Sequence, residues 1–136
     1  MFAGLTLQHT RADIFRAILE SLTFSLYENI GFLKQHVYVI DIVRTIGGGA
    51  KNDFWLQMKA DVIGMQIEKP VVTEAAVLGA AMLSALGHGE FSSLAESSEA
   101  FYRKSCVFDP NPANHQAYTE PYRRYQDMVK TLIHGL

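Results

Sequence analysis

The chain has 136 residues, 49% hydrophobic and 19% charged, which suits one domain with one core and excludes general disorder. A formal charge of −2, with Arg123-Arg124 as its one basic cluster, leaves no electrostatic footprint for nucleic acid. The lone Cys106 excludes an intrachain disulfide and a cysteine-based zinc cluster and points to a reducing, cytoplasmic setting. No apolar run nears the roughly 18 residues of a membrane span, and the opening residues lack a secretory pattern, so neither membrane nor export is expected.

Thr10 and Asp13 carry the pattern of a capping box, which predicts a helix over 10–35. Ile14, Ile18, Leu22, Leu26 and Ile30 recur at four-residue spacing and are expected as its buried face. Residues 37–46, VYVIDIVRTI, read as a strand covered on both faces. Residues 52–64 read as a helix, capped by Asn52 or Asp53 and closed by Gly64, with Phe54, Leu56, Met58 and Val62 as its core.

A short strand over 65–70 stops at Pro70. Thr73 is expected to cap a helix over 74–86, ended by Gly87 and Gly89. Its small residues, Ala76, Gly79 and Ala80 with Leu83, predict very close packing on a neighbour. Ser93 and Glu96 suggest a further capping box and a helix near 94–103, followed by a short strand at SCVF. Asn111-Pro112 opens a final helix with Tyr118, Tyr122 and Tyr125 on one face, kinked or split by Pro121. The pattern is α/β, with few strands and many helices. Two clear strands are fewer than the ~4–6 of a usual sheet, so part of the sheet is expected elsewhere.

Gly47, Gly48 and Gly49 stand between the first strand and the next helix. Bare backbone at a helix N-terminus is a device for binding anions, phosphate above all. The P-loop pattern is absent. The dinucleotide fingerprint G-x-G-x-x-G is met only in part, because Asn52 replaces the third glycine; Glu68 stands where its acidic residue is expected. The adenosine loop of actin-like ATP-binding folds accommodates an Asn there. Against all three stands a plain tight turn with Asn52 as helix cap.

The stretch from Ile46 to Phe91 resembles the C-terminal signature of the FGGY carbohydrate kinases. The resemblance rests on Gly47–Gly49, Asn52, Trp55, Gln57, Ala60-Asp61, Glu74-Ala75 and Gly79-Ala80-Ala81. Upstream, Arg16-Ala17 and Leu19-Glu20 resemble the preceding family helix, and Pro110 to Tyr125 the closing one. Xylulokinase-like members are the most similar. The resemblance implies a partial actin-like, RNase H-like ATPase fold: the C-terminal domain of a two-domain enzyme that moves the γ-phosphoryl of ATP to a sugar or polyol hydroxyl. Residues 1–136 would be one incomplete nucleotide-binding domain. Gly48 and Gly49 would lie against the adenosine and its α-phosphate, and Asn52 would bond the adenosine. Mg²⁺ would be held mainly by an N-terminal half, the expected partner, which would also supply the sugar site.

No D-x-G-[ST] signature occurs in the sequence, so the chain is expected to be a fragment that is inactive as a kinase alone, with no catalytic residue of its own. Lys51 is expected as a surface lysine, Trp55 as core, Asp61 as a packing or pairing carboxylate, Glu74 as a first-turn acid, and Cys106 as inert. The scattered histidines lack metal-site spacing. Two other readings remain open. One is an assembly module completed by a partner or a second copy, since open strand edges invite pairing. The other is a truncated NAD-binding unit resting on Gly47, Gly49 and Glu68.

Overall fold

A computed structural model of the chain describes residues 2–36 and 39–134. Helix α1 (Arg11–Gln35) starts at the expected capping box: Asp13 N–H donates to Thr10 Oγ1 (3.3 Å), and Thr10 N–H donates to Asp13 Oδ2 (2.8 Å). Its buried residues are Leu19, Thr23, Phe24 and Ile30. The expected row is corrected, because Ile18 and Leu22 are 40% and 52% exposed. A four-residue row drifts by about 40° per step around a helix. Only its end, Leu26 and Ile30, therefore reaches the core.

Strand β1 (Ile42–Arg44) is much shorter than the strand expected over 37–46. Val37 and Tyr38 lie outside the described residues, while Val39 and Asp41 are exposed and outside the strand. β1 pairs in parallel with β2 (Gln66–Pro70), which pairs antiparallel with β3 (Lys104–Phe108), giving the order β1-β2-β3. Between β1 and β2 runs α2 (Asp53–Ile63). It lays Leu56, Ala60 and Ile63 against Ile67 of the central strand and Ile30 of α1, which forms one core cluster. Phe54, expected in that core, is instead 58% exposed, since it faces away at the start of the helix.

A second cluster joins Leu19, Phe24, Met58 and Val62 to Tyr118, Tyr122 and Tyr125, the tyrosine face read from the sequence. Phe24 meets Tyr125 and Tyr122 at ring-centroid distances of 5.4 and 5.6 Å, within the favourable range for tilted aromatic pairs. These tyrosines lie where the chain passes from α5 (Pro112–Ala117) into α6 (Thr119–His134). The expected split is present, but it falls at Tyr118, three residues ahead of Pro121. Proline cannot donate to the carbonyl four residues back, so the helix re-forms around that gap.

Asp61 ties α2 to α5. Its carboxylate accepts from Gln57 Nε2 (2.9 Å), Asn111 N–H (2.9 Å) and Asn114 Nδ2 (2.8 Å). Its carbonyl accepts from His115 Nδ1 (2.9 Å). Gly64 then closes α2 in the left-handed region (φ 69°), and a Cβ there would stand 2.8 Å from His115 Cε1.

The helix α3 (Ala75–His88) overturns the expectation of close packing: none of its residues is buried, and a Cβ on Gly79 would meet nothing within 4 Å. Its described neighbour is α4 (Leu94–Phe101). Glu74 occupies its N-cap position, rather than Thr73, and its side chain makes no capping bond to the helix backbone. The helix also runs through Gly87 and ends at Gly89. Ser93 caps α4 as expected, but the Glu96 carboxylate bonds Ser92 N–H (2.8 Å) and Oγ (2.6 Å) rather than closing the box on Ser93. Among the described residues no helix is long and apolar enough to cross a membrane.

Candidate functional site

The glycine turn sits beyond the end of β1. Thr45 prolongs the pairing there, with its N–H (3.0 Å) and Oγ1 (3.2 Å) both donating to the Glu68 carbonyl. Gly47 then turns the chain at φ 72°, a value that side chains rarely tolerate. Its N–H donates to the Thr73 carbonyl (2.7 Å), which ties the turn to the start of α3. Gly48–Lys51 form one 3-10 turn on the fully buried Ala50, and Asn52 leads into α2.

The three residues singled out in the sequence have different surroundings. Gly48 is exposed, and a Cβ there would meet nothing within 4 Å, so its backbone is open. Gly49 is closed from behind: a Cβ would stand 2.9 Å from Trp55 Cζ3. Its lack of a side chain is required by packing on that indole. Asn52 is the N-cap of α2, with Oδ1 accepting from Trp55 N–H (3.2 Å). Its Nδ2 has no partner among the described residues and remains a donor. The bland reading of Asn52 as a cap is therefore realised, and it leaves half of the amide uncommitted.

Trp55 is the platform beneath the turn, as its expected core role requires. Its Nε1 donates to Thr23 Oγ1 on α1 (2.9 Å), and Lys59 Nζ lies 4.0 Å above the ring. Burial pushes the Lys59 ammonium below the usual lysine value. This Gly49–Trp55–Thr23 stack went unread in the sequence. The signal available was a lone tryptophan soon after the glycines, whose partner on α1 lies 32 positions away.

Charges around the turn are paired. Lys51 Nζ meets Glu74 Oε1 at 3.3 Å with both side chains exposed, which matches the expected surface lysine. Lys69 Nζ meets Asp53 Oδ1 at 2.6 Å. The exposed Lys51–Glu74 pair adds little stability. Among the described residues no cluster of His, Cys, Asp and Glu side chains could hold a metal ion.

Glu68 removes the support for the dinucleotide reading. It is 4% exposed, and its carboxylate accepts from Tyr102 Oη (2.8 Å), Arg44 Nε (3.1 Å) and Lys104 Nζ (3.2 Å). A carboxylate buried under these three partners is committed to the sheet and is not presented to a ribose. Burial opposes its ionisation, but the bonds from Tyr102, Arg44 and Lys104 outweigh that and hold it below the ordinary glutamate value. The cover is thin, supplied by these partners themselves rather than by depth of protein.

Residues 1–88 match the FGGY family of carbohydrate kinases, C-terminal domain. The xylulose kinase of Staphylococcus epidermidis is 40% identical over 129 residues, covering 95% of this chain and 26% of its own length. That of Bacillus subtilis is also 40% identical, over 92% of this chain and 25% of its own. Among solved structures, a ligand-bound xylulose kinase from Lactobacillus acidophilus superposes with a TM-score of 0.84 at 26% identity, over 98% of this chain and 27% of that one. The glycerol kinase of Plasmodium falciparum with ADP gives a TM-score of 0.73 at 27% identity, over 92% of this chain and 26% of its own. The chain thus spans about a quarter of the length of the relatives it matches. Its fold is the partial α/β fold expected of an actin-like sugar kinase.

Proposed function

Because the chain belongs to the FGGY family of carbohydrate kinases, as part of their C-terminal domain, we propose that it carries the nucleotide side of an ATP-dependent sugar kinase. The reaction would move the γ-phosphoryl of ATP to a hydroxyl of a pentulose-like sugar or polyol. The observations that carry this reading are the open backbone of Gly48 in the turn that leads into α2 and the uncommitted amide of Asn52 at the helix N-cap. A flat nucleoside can lie against main chain only where no side chain intervenes. Asn52 Nδ2 donates to an acceptor on the adenosine, and the positive end of α2 favours the α-phosphate. Gly49 serves the site indirectly, by letting Trp55 close up beneath it.

In this reading Mg²⁺, which neutralises charge on the transferring phosphates, takes its ligands mainly from the N-terminal part that the relatives carry and this chain does not span. The acceptor site and the catalytic base belong to the same part, so residues 1–136 alone bind nucleotide weakly and transfer nothing. Calorimetric titration with ADP tests this. We expect weak binding, reduced about tenfold or more by Gly48→Val. Identical heats for the wild type and that variant overturn the reading.

A second reading has its own support. Among the described residues β1 is paired on one side only, and α3 buries nothing. An assembly module completed by a second copy would be a concentration-dependent dimer, indifferent to ADP, in a sedimentation experiment.

A further inference from the structure

Apart from the glycine turn, a cleft of about 340 Å³ runs between the C-terminal half of α1 and α6. That size lies at the small end of the roughly 300–1,000 Å³ of small-molecule sites. Gly31, inside α1, lines it. A glycine within a helix costs about 0.5–1 kcal/mol relative to alanine. Packing does not require this one, because a Cβ there would meet nothing within 4 Å. What the bare position preserves is open space on the wall of the cleft. Among the described residues the lining holds one charge, and it is negative. Glu28 is half-buried, and its carboxylate makes no hydrogen bond or ion pair among the described residues. Burial first, and then the Glu28 charge, push the Tyr122 phenol up, which sets that carboxylate near the ring. Gln126 Nε2 donates to Tyr122 Oη (3.1 Å) and holds the phenol in place. Tyr27 meets Tyr122 at 4.8 Å between centroids with the planes inclined by 46°, so the two rings do not stack face to face. Phe32, 61% exposed, forms the rim, its ring steadied by His36 at 4.1 Å between centroids.

The unpaired charge and the rings define the ligand. An anion would face Glu28 directly. A neutral molecule would shield Glu28 from water and leave its charge without a counter-ion, which is costly. Among the described residues no cluster of His, Cys, Asp and Glu could hold a metal ion, so the cation is an organic one. A primary ammonium is compact and strongly hydrated, and it would give up the water on three donors for one carboxylate. A quaternary ammonium has no N–H to satisfy, and its charge is attracted to aromatic faces. We propose that the cleft between α1 and α6 is a site for a small quaternary ammonium cation, held by the Glu28 charge and the rings of Tyr27, Tyr122 and Phe32. The inference stands on this cleft alone and does not need the turn to bind nucleotide.

An amide-resolved NMR titration of the full chain with choline tests it, with ionic strength held constant by sodium chloride. The neutral carbon isostere of choline, dimethylbutanol, and the primary amine ethanolamine serve as comparators. The expected result is saturable shifts at Phe32, Tyr122 and the Gln126 side-chain amide, with a Kd of about millimolar order for so small a ligand. Each comparator should bind more weakly by about fivefold or more. Glu28→Gln keeps the shape of the lining and removes its charge, and it should weaken choline binding by about fivefold or more. Gly31→Leu should abolish binding while the thermal midpoint holds or rises, since leucine favours a helix more than glycine does. That combination separates a filled cleft from a misfolded chain. Should Gly31→Leu unfold, Glu28→Gln decides. Gly48→Val should leave the titration unchanged, which separates this site from the nucleotide reading. Absence of saturable shifts, an equal response to either comparator, or choline binding untouched by Glu28→Gln or by a folded Gly31→Leu overturns the proposal.

Discussion

Two helices start close to the same glycine turn and end differently. α2 carries Asp53, Lys59 and Asp61, yet it buries seven residues, two of those charges among them. α3 reads AAVLGAAMLSALGH, without a charged side chain before His88, and it buries none. Apolar content therefore does not decide which helix becomes core. Placement does: α2 lies between α1, the sheet and α5, whereas the substantial packing of α3 among the described residues is with α4. The charged residues of α2 are buried because each finds a role, Asp61 as the acceptor for α5 and Lys59 on the Trp55 ring. An apolar helix with a single small neighbour stays exposed however greasy its sequence.

The sharpest way to break that contrast is Leu56→Ala. Leu56 is fully buried in the cluster with Ile67, and the change should cost about 3–4 kcal/mol in denaturant unfolding. A loss below about 1 kcal/mol would mean that α2 is less firmly packed than its burial indicates. Next comes the far face of the sheet, where Glu68 holds β1, β3 and Tyr102 together. Glu68→Gln should cost about 2 kcal/mol, since a carboxylate accepting charged bonds is lost. Because its folded pKa is depressed, its contribution is fully present above the unfolded glutamate value of about 4.3 and is lost as pH falls through the folded value. The wild type should therefore weaken in acid over that interval, and the variant should show a flatter acid limb. The smallest effect belongs to α3: Leu83→Ser, at a site 59% exposed, should change stability by less than about 0.5 kcal/mol. A larger loss would reveal a cover on α3 at the concentration used, and so sharpen the assembly reading.

The sequence was most readable where one side chain meets a nearby backbone. Thr10 with Asp13, Asn52 before Trp55, and Asn111 with Pro112 all start helices as their local chemistry requires. It was least readable where the outcome depends on distant partners. The face of α1 that is buried is set by tyrosines about a hundred positions away, as the Tyr118–Glu20 bond illustrates. The brevity of β1 and the exposure of α3 likewise follow from what surrounds them, which no spacing of residues encodes. At the candidate site, the glycines and the Asn were visible as a device. That Gly48 faces outward while Gly49 faces an indole was not, because both are the same letter.

The meeting of Gly64 and His115 has an evolutionary corollary. Position 64 must accept a left-handed backbone and an imidazole occupying the space a Cβ would need, so two unrelated demands fall on one small residue. Enlarging it alone would displace the ring and with it the tether to the Asp61 carbonyl. Exchanges at 64 and 115 should therefore be admissible only as a pair, a dependence between positions 51 apart that neither residue announces by itself.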